Sequence, residues 1–445
     1  MARDWIVAGG LCFSCMAARA DLWSTAYYAA WLQDYMPASN VDFAAVSHVI
    51  HFAIVPEADG QLDTAVNGIA PAYSTDLVSR AHAAGAKALI CVGGAGSQTG
   101  FRGATAPAYR GAFVSNLLSF VRAYGYDGVD VDWEPLDAGD ASQFTNFVGA
   151  LRTALTALSP HALLTAAAAM QPALFAATQD QFDQINLMTY DLAGPWPGWI
   201  TWFNSPLYDG GTRFPSTGVL VPSTDGIVSG FLAAGVAPGK LGIGIPFYAV
   251  VWSGGAGTST GGAALPRQTW SSAPAVLSIS FDEALTRYGQ AQNYHWDPGA
   301  QAAYLSRDGP GSANDAFVSY DDEHACQAKV SYARNRGLGG VMMFDLGNGY
   351  RAGQPGGLRD PLLQAVKRAL ATPRFTSVRA SGRDIELRFT SLPLASYRVL
   401  WTSNLAAAAW NTLTNEVAGS GGVLQCIDPS TLGQSARFYR VRTPP

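Results

Sequence analysis

From Trp23 to about Thr372, short apolar runs alternate with amphipathic helical stretches. That alternation restricts the possible folds more than any other feature, because an apolar run followed by a one-sided helix is the pattern of βα units wound into a parallel sheet. Residues 24–30, 46–54, 86–92, 128–133, 163–169, 184–190, 241–247 and 339–344 read as eight strands, and 76–84, 109–124, 141–158, 224–234 and 323–336 as helices between them. Eight such units in about 350 residues predict an α/β fold of the (β/α)8 barrel type with insertions. The last helix has Asp360 as its N-cap and Pro361 in its first turn, and Thr372-Pro373 ends it.

After Pro373 the hydrophobic period changes to two, with Ile385, Leu387 and Phe389, then Tyr397, Val399 and Trp401, then Phe438 and Val441. Residues 373–445 are therefore expected to form a separate small antiparallel module, β-sandwich-like, after a barrel domain at 21–372. A chain of 445 residues exceeds what one core usually supports, which agrees with two domains. The first twenty residues differ from the rest: Arg3, an apolar stretch from Trp5 to Ala17, then Ala18-Arg19-Ala20. This predicts a secretory signal cleaved after Ala20, the apolar stretch being shorter than the roughly twenty residues that span a bilayer. The mature chain keeps Cys91, Cys326 and Cys426, an odd number expected to be small buried thiols.

Hydrophobic residues make up 48% of the chain and charged ones 14%, so a large core is available. The net charge of -5 and the absence of any Lys/Arg run exclude a nucleic-acid or anionic-membrane partner and leave a neutral polymer. No cofactor or metal ion is implied, and a monomer is expected.

The chemistry concentrates in Asp127-Gly128-Val129-Asp130-Val131-Asp132-Trp133-Glu134-Pro135. Side chains alternate along a strand, so Asp130, Asp132 and Glu134 share one face and Val129, Val131 and Trp133 the other. The apolar face belongs against the helices, which turns three carboxylates into the barrel with Glu134 at its C-terminal rim. Burying like charges side by side is costly, and neighbouring carboxylates split their titrations so that one stays neutral near pH 7 while another ionises. A general acid at a glycosidic oxygen needs that neutral form, and Glu134 is the candidate.

This segment resembles the D-x-x-D-x-D-x-E signature of family 18 glycoside hydrolases, the chitinases and their relatives, with Asp127, Asp130, Asp132 and Glu134 in its four places. Val92-Gly93-Gly94, Leu187-Met188-Thr189-Tyr190-Asp191, Gly244-Ile245-Pro246-Phe247-Tyr248 and Gly339-Gly340-Val341-Met342 are similar to further family motifs, in the same order. The resemblance covers about 24–372. It implies hydrolysis of chitin or another N-acetylglucosamine-containing glycan, with the substrate's own 2-acetamido oxygen as nucleophile and the β configuration retained. It also implies that Glu134 protonates the leaving oxygen and then activates water. Asp132 would hold the acetamido N–H, Asp130 would pair with Asp132, Tyr190 would donate to the acetamido carbonyl, and Asp191 would bind the sugar. Asp127, Tyr27, Gly93, Gly94, Met188, Trp196, Tyr248 and Phe344 complete the expected substrate-binding set, Trp196 as an indole of the Trp196, Trp199 and Trp202 loop on which a sugar face can stack.

The chain departs from the family in four places. Cys91 stands where a Ser is usual before the glycine pair. Phe344 replaces the Trp that ends the eighth strand, narrowing the floor. Ala249 and Val250 follow Tyr248 in place of Gly-Arg. The stretch 253–319 reads as an insertion too short and too unlike the family's α+β insertion for a deep tunnel, so a shallower, endo-acting cleft is expected. The alternatives are an endo-β-N-acetylglucosaminidase acting on N-glycans or peptidoglycan-like glycans, and a non-catalytic chitin-binding lectin, against which Glu134 counts.

Overall fold

A computed structural model describes residues 22–371, 373–381, 384–391, 396–405, 410–420, 422–429 and 437–442. The expected signal at 1–20 lies outside the described residues. The chain divides into two compact units between Val366 and Lys367.

In the first unit, β1 (Trp23–Ala29), β2 (His48–Pro56), β3 (Lys87–Gly94), β4 (Gly128–Trp133), β5 (Leu163–Ala168), β6 (Gln184–Leu187), β7 (Leu241–Pro246) and β8 (Gly340–Phe344) pair side by side, all parallel. β1 pairs with both β8 and β2, which closes the barrel predicted from the alternation. The helices Ala141–Leu158 and Glu323–Arg336 have the expected limits. Pro71 opens a helix, Pro71–Ala83, five residues ahead of the expected start, because a first-turn proline loses no hydrogen bond there. β6 is shorter than expected. Beyond Leu187, the Thr189 side chain replaces the ladder by bonding both the N–H and the carbonyl of Gly244, each at 3.0 Å.

The register of β4 follows from its outer face. Trp133 lies flat on Phe101, ring centroids 4.6 Å apart and planes 6° from parallel, and meets Phe144 edge-on. With that face committed to the helices, Asp130 and Asp132 face into the barrel, both buried.

The insertion after β7 is an α+β unit, which corrects the sequence expectation. Tyr248–Ser253, Ala275–Ser280, Tyr294–Asp297, Ala302–Arg307 and Ala316–Tyr320 form a five-stranded antiparallel sheet, with the helix Phe281–Tyr288 capped by Ser280. Its Val250, Trp252 and Phe317 share one buried cluster with Tyr190, Trp202 and Met342 of the barrel. Ala249 and Val250 are buried strand residues.

The second unit holds two antiparallel sheets. Phe375–Ser381, Asp384–Thr390 and Val423–Asp428 form one; Ser396–Thr402 with Asn411–Thr412, Val417–Ala418 and Phe438–Arg442 forms the other. Ile385, Leu387 and Phe389 from the first meet Tyr397, Val399, Tyr439 and Val441 from the second in a core of their own. Cys91, Cys326 and Cys426 are buried free thiols.

Candidate active site

The three inward acids of β4 differ in their surroundings. Asp130, the deepest, accepts hydrogen bonds from Tyr27 OH at 2.8 Å and Thr165 Oγ1 at 2.5 Å, and from the Cys91 thiol. Burial raises its carboxyl and those donors oppose the rise. Asp132 has no such support. Burial, then the charges of Glu134 and Asp130, push its carboxyl well above the usual range. Its side chain is within hydrogen-bond reach of Glu134, while among the described residues its Oδ1 is buried without a partner. Glu134 is raised by burial and by Asp191, with the bond to Asp132 pulling the other way. Two carboxyls in mutual hydrogen-bond contact cannot both ionise cheaply, so burial and mutual repulsion favour keeping one proton between Asp132 and Glu134. The rim that carries Glu134 is fixed from the β3 side: its N–H donates to Ser97 Oγ at 3.2 Å and its carbonyl accepts from Gln98 N at 3.0 Å.

Gly93 pairs with Asp132, and a Cβ there would lie 1.9 Å from the Asp132 carbonyl oxygen; at Gly94 it would come within 3.0 Å of Phe52. Both glycines have positive φ, so β3 passes the acids at a distance no side chain permits.

Above the acids lies an aromatic floor. Phe344 has the rings of Phe52, Tyr27, Tyr190 and Tyr248 around it, with centroids 5.4 to 6.5 Å away. Among the described residues the Tyr190 hydroxyl donates to Met342 Sδ, at 3.8 Å, a weak acceptor. Tyr248 OH donates to Asp191 Oδ1 at 2.6 Å. Met188 is partly buried against the same cluster. Asp191 is raised by burial, opposed by the Tyr248 bond.

Asp127 does not join this group. It precedes β4, about 20 Å down the strand from Glu134, and its carboxylate binds Lys87 Nζ at 2.8 Å, His82 Nε2 at 2.7 Å and Ala88 N at 2.9 Å. It ties the N-terminal ends of β3 and β4 and is a structural residue, not a sugar ligand. Tyr27 does belong to the floor, its ring against Phe344, but at 1% exposed it acts through that packing and through its bond to Asp130, not as a direct sugar ligand. Of the three indoles in the loop after β6, Trp202 is buried with its N–H on the Pro222 carbonyl, Trp199 packs between Trp196 and Phe214, and Trp196 is 48% exposed.

Sequence reading missed Thr165, Phe52 and Trp31. Thr165 lies in an alanine run of β5, and its one hint was a hydroxyl at an inward position. Trp31, 49% exposed, follows β1 and meets Phe52 edge-on at 5.6 Å. Among the described residues no three of His, Cys, Asp and Glu are placed to hold a metal ion.

The family description Glycosyl hydrolases family 18 matches residues 24–349. This chain belongs to that family. It is 30% identical over 372 residues to Chitinase A1 of Niallia circulans, covering 75% of this chain and 49% of that protein. It is 27% identical over 358 residues to the Class V chitinase of Arabidopsis thaliana, covering 76% of this chain and 88% of the plant protein. The chain spans about half the length of the first curated relatives it matches. The Ostrinia furnacalis Group IV chitinase, solved in complex with allosamidin, has a TM-score of 0.67 at 22% identity over 79% of this chain and 99% of that one. That likeness establishes a common barrel fold.

Proposed function

We propose that this family 18 protein is a secreted chitinase that hydrolyses β-1,4-linked N-acetylglucosamine polymers with retention, using the substrate's acetamido group as nucleophile. The observation that carries the reading is the buried Asp132 Oδ1 with nothing to accept, one carboxyl away from a protonatable Glu134. An unmatched buried acceptor costs about 1–3 kcal/mol, and an acetamido N–H would satisfy it.

With Asp132 holding that N–H, the acetamido oxygen is turned toward C1. Its lone pair forms the new C1–O bond as the glycosidic C1–O bond breaks, and Glu134 delivers its proton to the departing oxygen. Asp132 then lies beside the positive oxazolinium ring, whose charge offsets the repulsion between Asp132 and Asp130, and Asp130 is kept in place by its three donors. Tyr190, whose hydroxyl gives up little by leaving a thioether, donates to the acetamido carbonyl oxygen. Glu134, now a carboxylate, takes a proton from water as the water's oxygen attacks C1 and the ring opens, restoring the β configuration. Asp191 keeps one oxygen on Tyr248 and offers the other to a sugar hydroxyl, while Phe344 supplies the apolar floor. Cleavage after Ala20 would release the enzyme outside the cytoplasm. The α+β insertion removes the ground for expecting a shallow cleft, so no endo preference is carried forward.

The test is product analysis by proton NMR on chitin oligosaccharides beside an N-glycan substrate. Chitin cleavage giving the β-anomer first is expected. Initial α-anomer would mean direct attack by water, and N-glycan cleavage alone would transfer the reading to the endo-β-N-acetylglucosaminidases.

A further inference from the structure

Asp191 has φ of 56°, a left-handed conformation uncommon for residues with a Cβ, which Asp tolerates and which its surroundings hold here. The residue that does so lies thirteen positions on. Asn204 is 2% exposed; its Oδ1 accepts the Asp191 N–H at 2.9 Å, its carbonyl accepts the Leu192 N–H at 3.0 Å, and its own N–H donates to Ser319 Oγ at 2.8 Å. The next residue is tied as firmly. Ser205 Oγ donates to the Thr189 carbonyl and accepts from Lys329 Nζ at 2.5 Å, and Lys329, fully buried, is paired with Asp321. Ser319 and Asp321 lie in and just after the last strand of the insertion, and Lys329 in the helix that follows. A buried ammonium is expensive to keep, and this one touches no part of the acid cluster. What it fixes is the segment that grips Asp191.

We propose that Asn204 is a positioning residue: by accepting the Asp191 N–H it holds Asp191 in the left-handed turn that aims its carboxylate at Tyr248 and the sugar, and the Ser205, Lys329 and Asp321 cluster anchors it from the side of the insertion. The inference rests on the sugar-binding role of Asp191 in the reading above, and gives the insertion a part in setting site geometry.

A double-mutant cycle on a chromogenic chitin oligosaccharide tests it. N204A is expected to lower kcat on the order of 10- to 100-fold, the effect of a small misplacement of a reacting group. In a D191N background the same change should alter kcat less than about twofold, since both act through one side chain. A merely structural role would lower both backgrounds by the same factor, and that outcome overturns the proposal, as does parental kcat in folded N204A. If D191N itself turns over like the parent, the role of Asp191 falls and the inference falls with it. Should N204A fail to fold, N204D decides. Its carboxyl keeps the shape and the acceptor and faces Asp191, Tyr248 and Ser319, with Lys329 and Asp321 behind Ser205. N204D should be near-parental in acid, where that carboxyl is neutral like the amide, and should decline as it ionises beside Asp191. A pH profile parallel to the parent's overturns the proposal.

Discussion

At Asp132 the protein keeps a carboxyl raised by burial and by two neighbouring acids, with one oxygen unpaired. The folded state therefore binds that proton more tightly than the unfolded chain does. Stability from it is present below the ordinary carboxylate range and is lost as pH rises toward the raised folded value. Asp132→Asn removes the titration, so its melting temperature relative to the parent should climb as pH is taken from 4 to 8. A constant difference across that range would show that Asp132 titrates normally. Glu134→Gln keeps the shape but has no proton to give, so kcat should fall by at least about 10²-fold while oligosaccharide binding, followed by tryptophan fluorescence, survives. A smaller loss would take Glu134 out of the acid role.

Among the elements, β4 was the most legible, because strict alternation of acid with valine or tryptophan leaves one way to bury the apolar side. Strand β6 was overread: the apolar run through Tyr190 gives no sign that Thr189 takes over the bonds to Gly244. The insertion sheet escaped for a different reason. Its outer strands Ala275–Ser280 and Tyr294–Asp297 are largely exposed, so they lack the apolar period that marks a strand. Asp127 was misplaced because the motif was carried over whole, although a residue seven positions before Glu134 on a strand stands about 20 Å from the rim. Asn204 and Trp31 lie in irregular segments, where position comes from tertiary bonds. Trp31, at the turn after β1, offers an exposed ring backed by Phe52. Trp31→Ala should raise KM for longer oligosaccharides roughly fivefold, about 1 kcal/mol of stacking, and leave kcat nearly unchanged. An unchanged KM would leave Trp31 outside the sugar path.

Over the whole molecule, every residue of the candidate site lies between Leu22 and Val366, and the second unit has a core of its own. Residues 22–371 alone should thus cleave short soluble oligosaccharides with kcat within about twofold of the full chain. A folded but inactive fragment would assign the C-terminal unit a part in catalysis. The barrel's closure bears on how the protein is made. β1 pairs with β2 on one side and, across roughly 300 intervening residues, with β8 on the other, Trp23 opposite Gly340. During synthesis β1 keeps one bare edge until nearly the entire unit has left the ribosome, and refolding must join the two ends of a long chain before that edge is covered. The nascent protein is consequently most prone to mispairing just before completion, the interval in which a chaperone holding β1 would matter most.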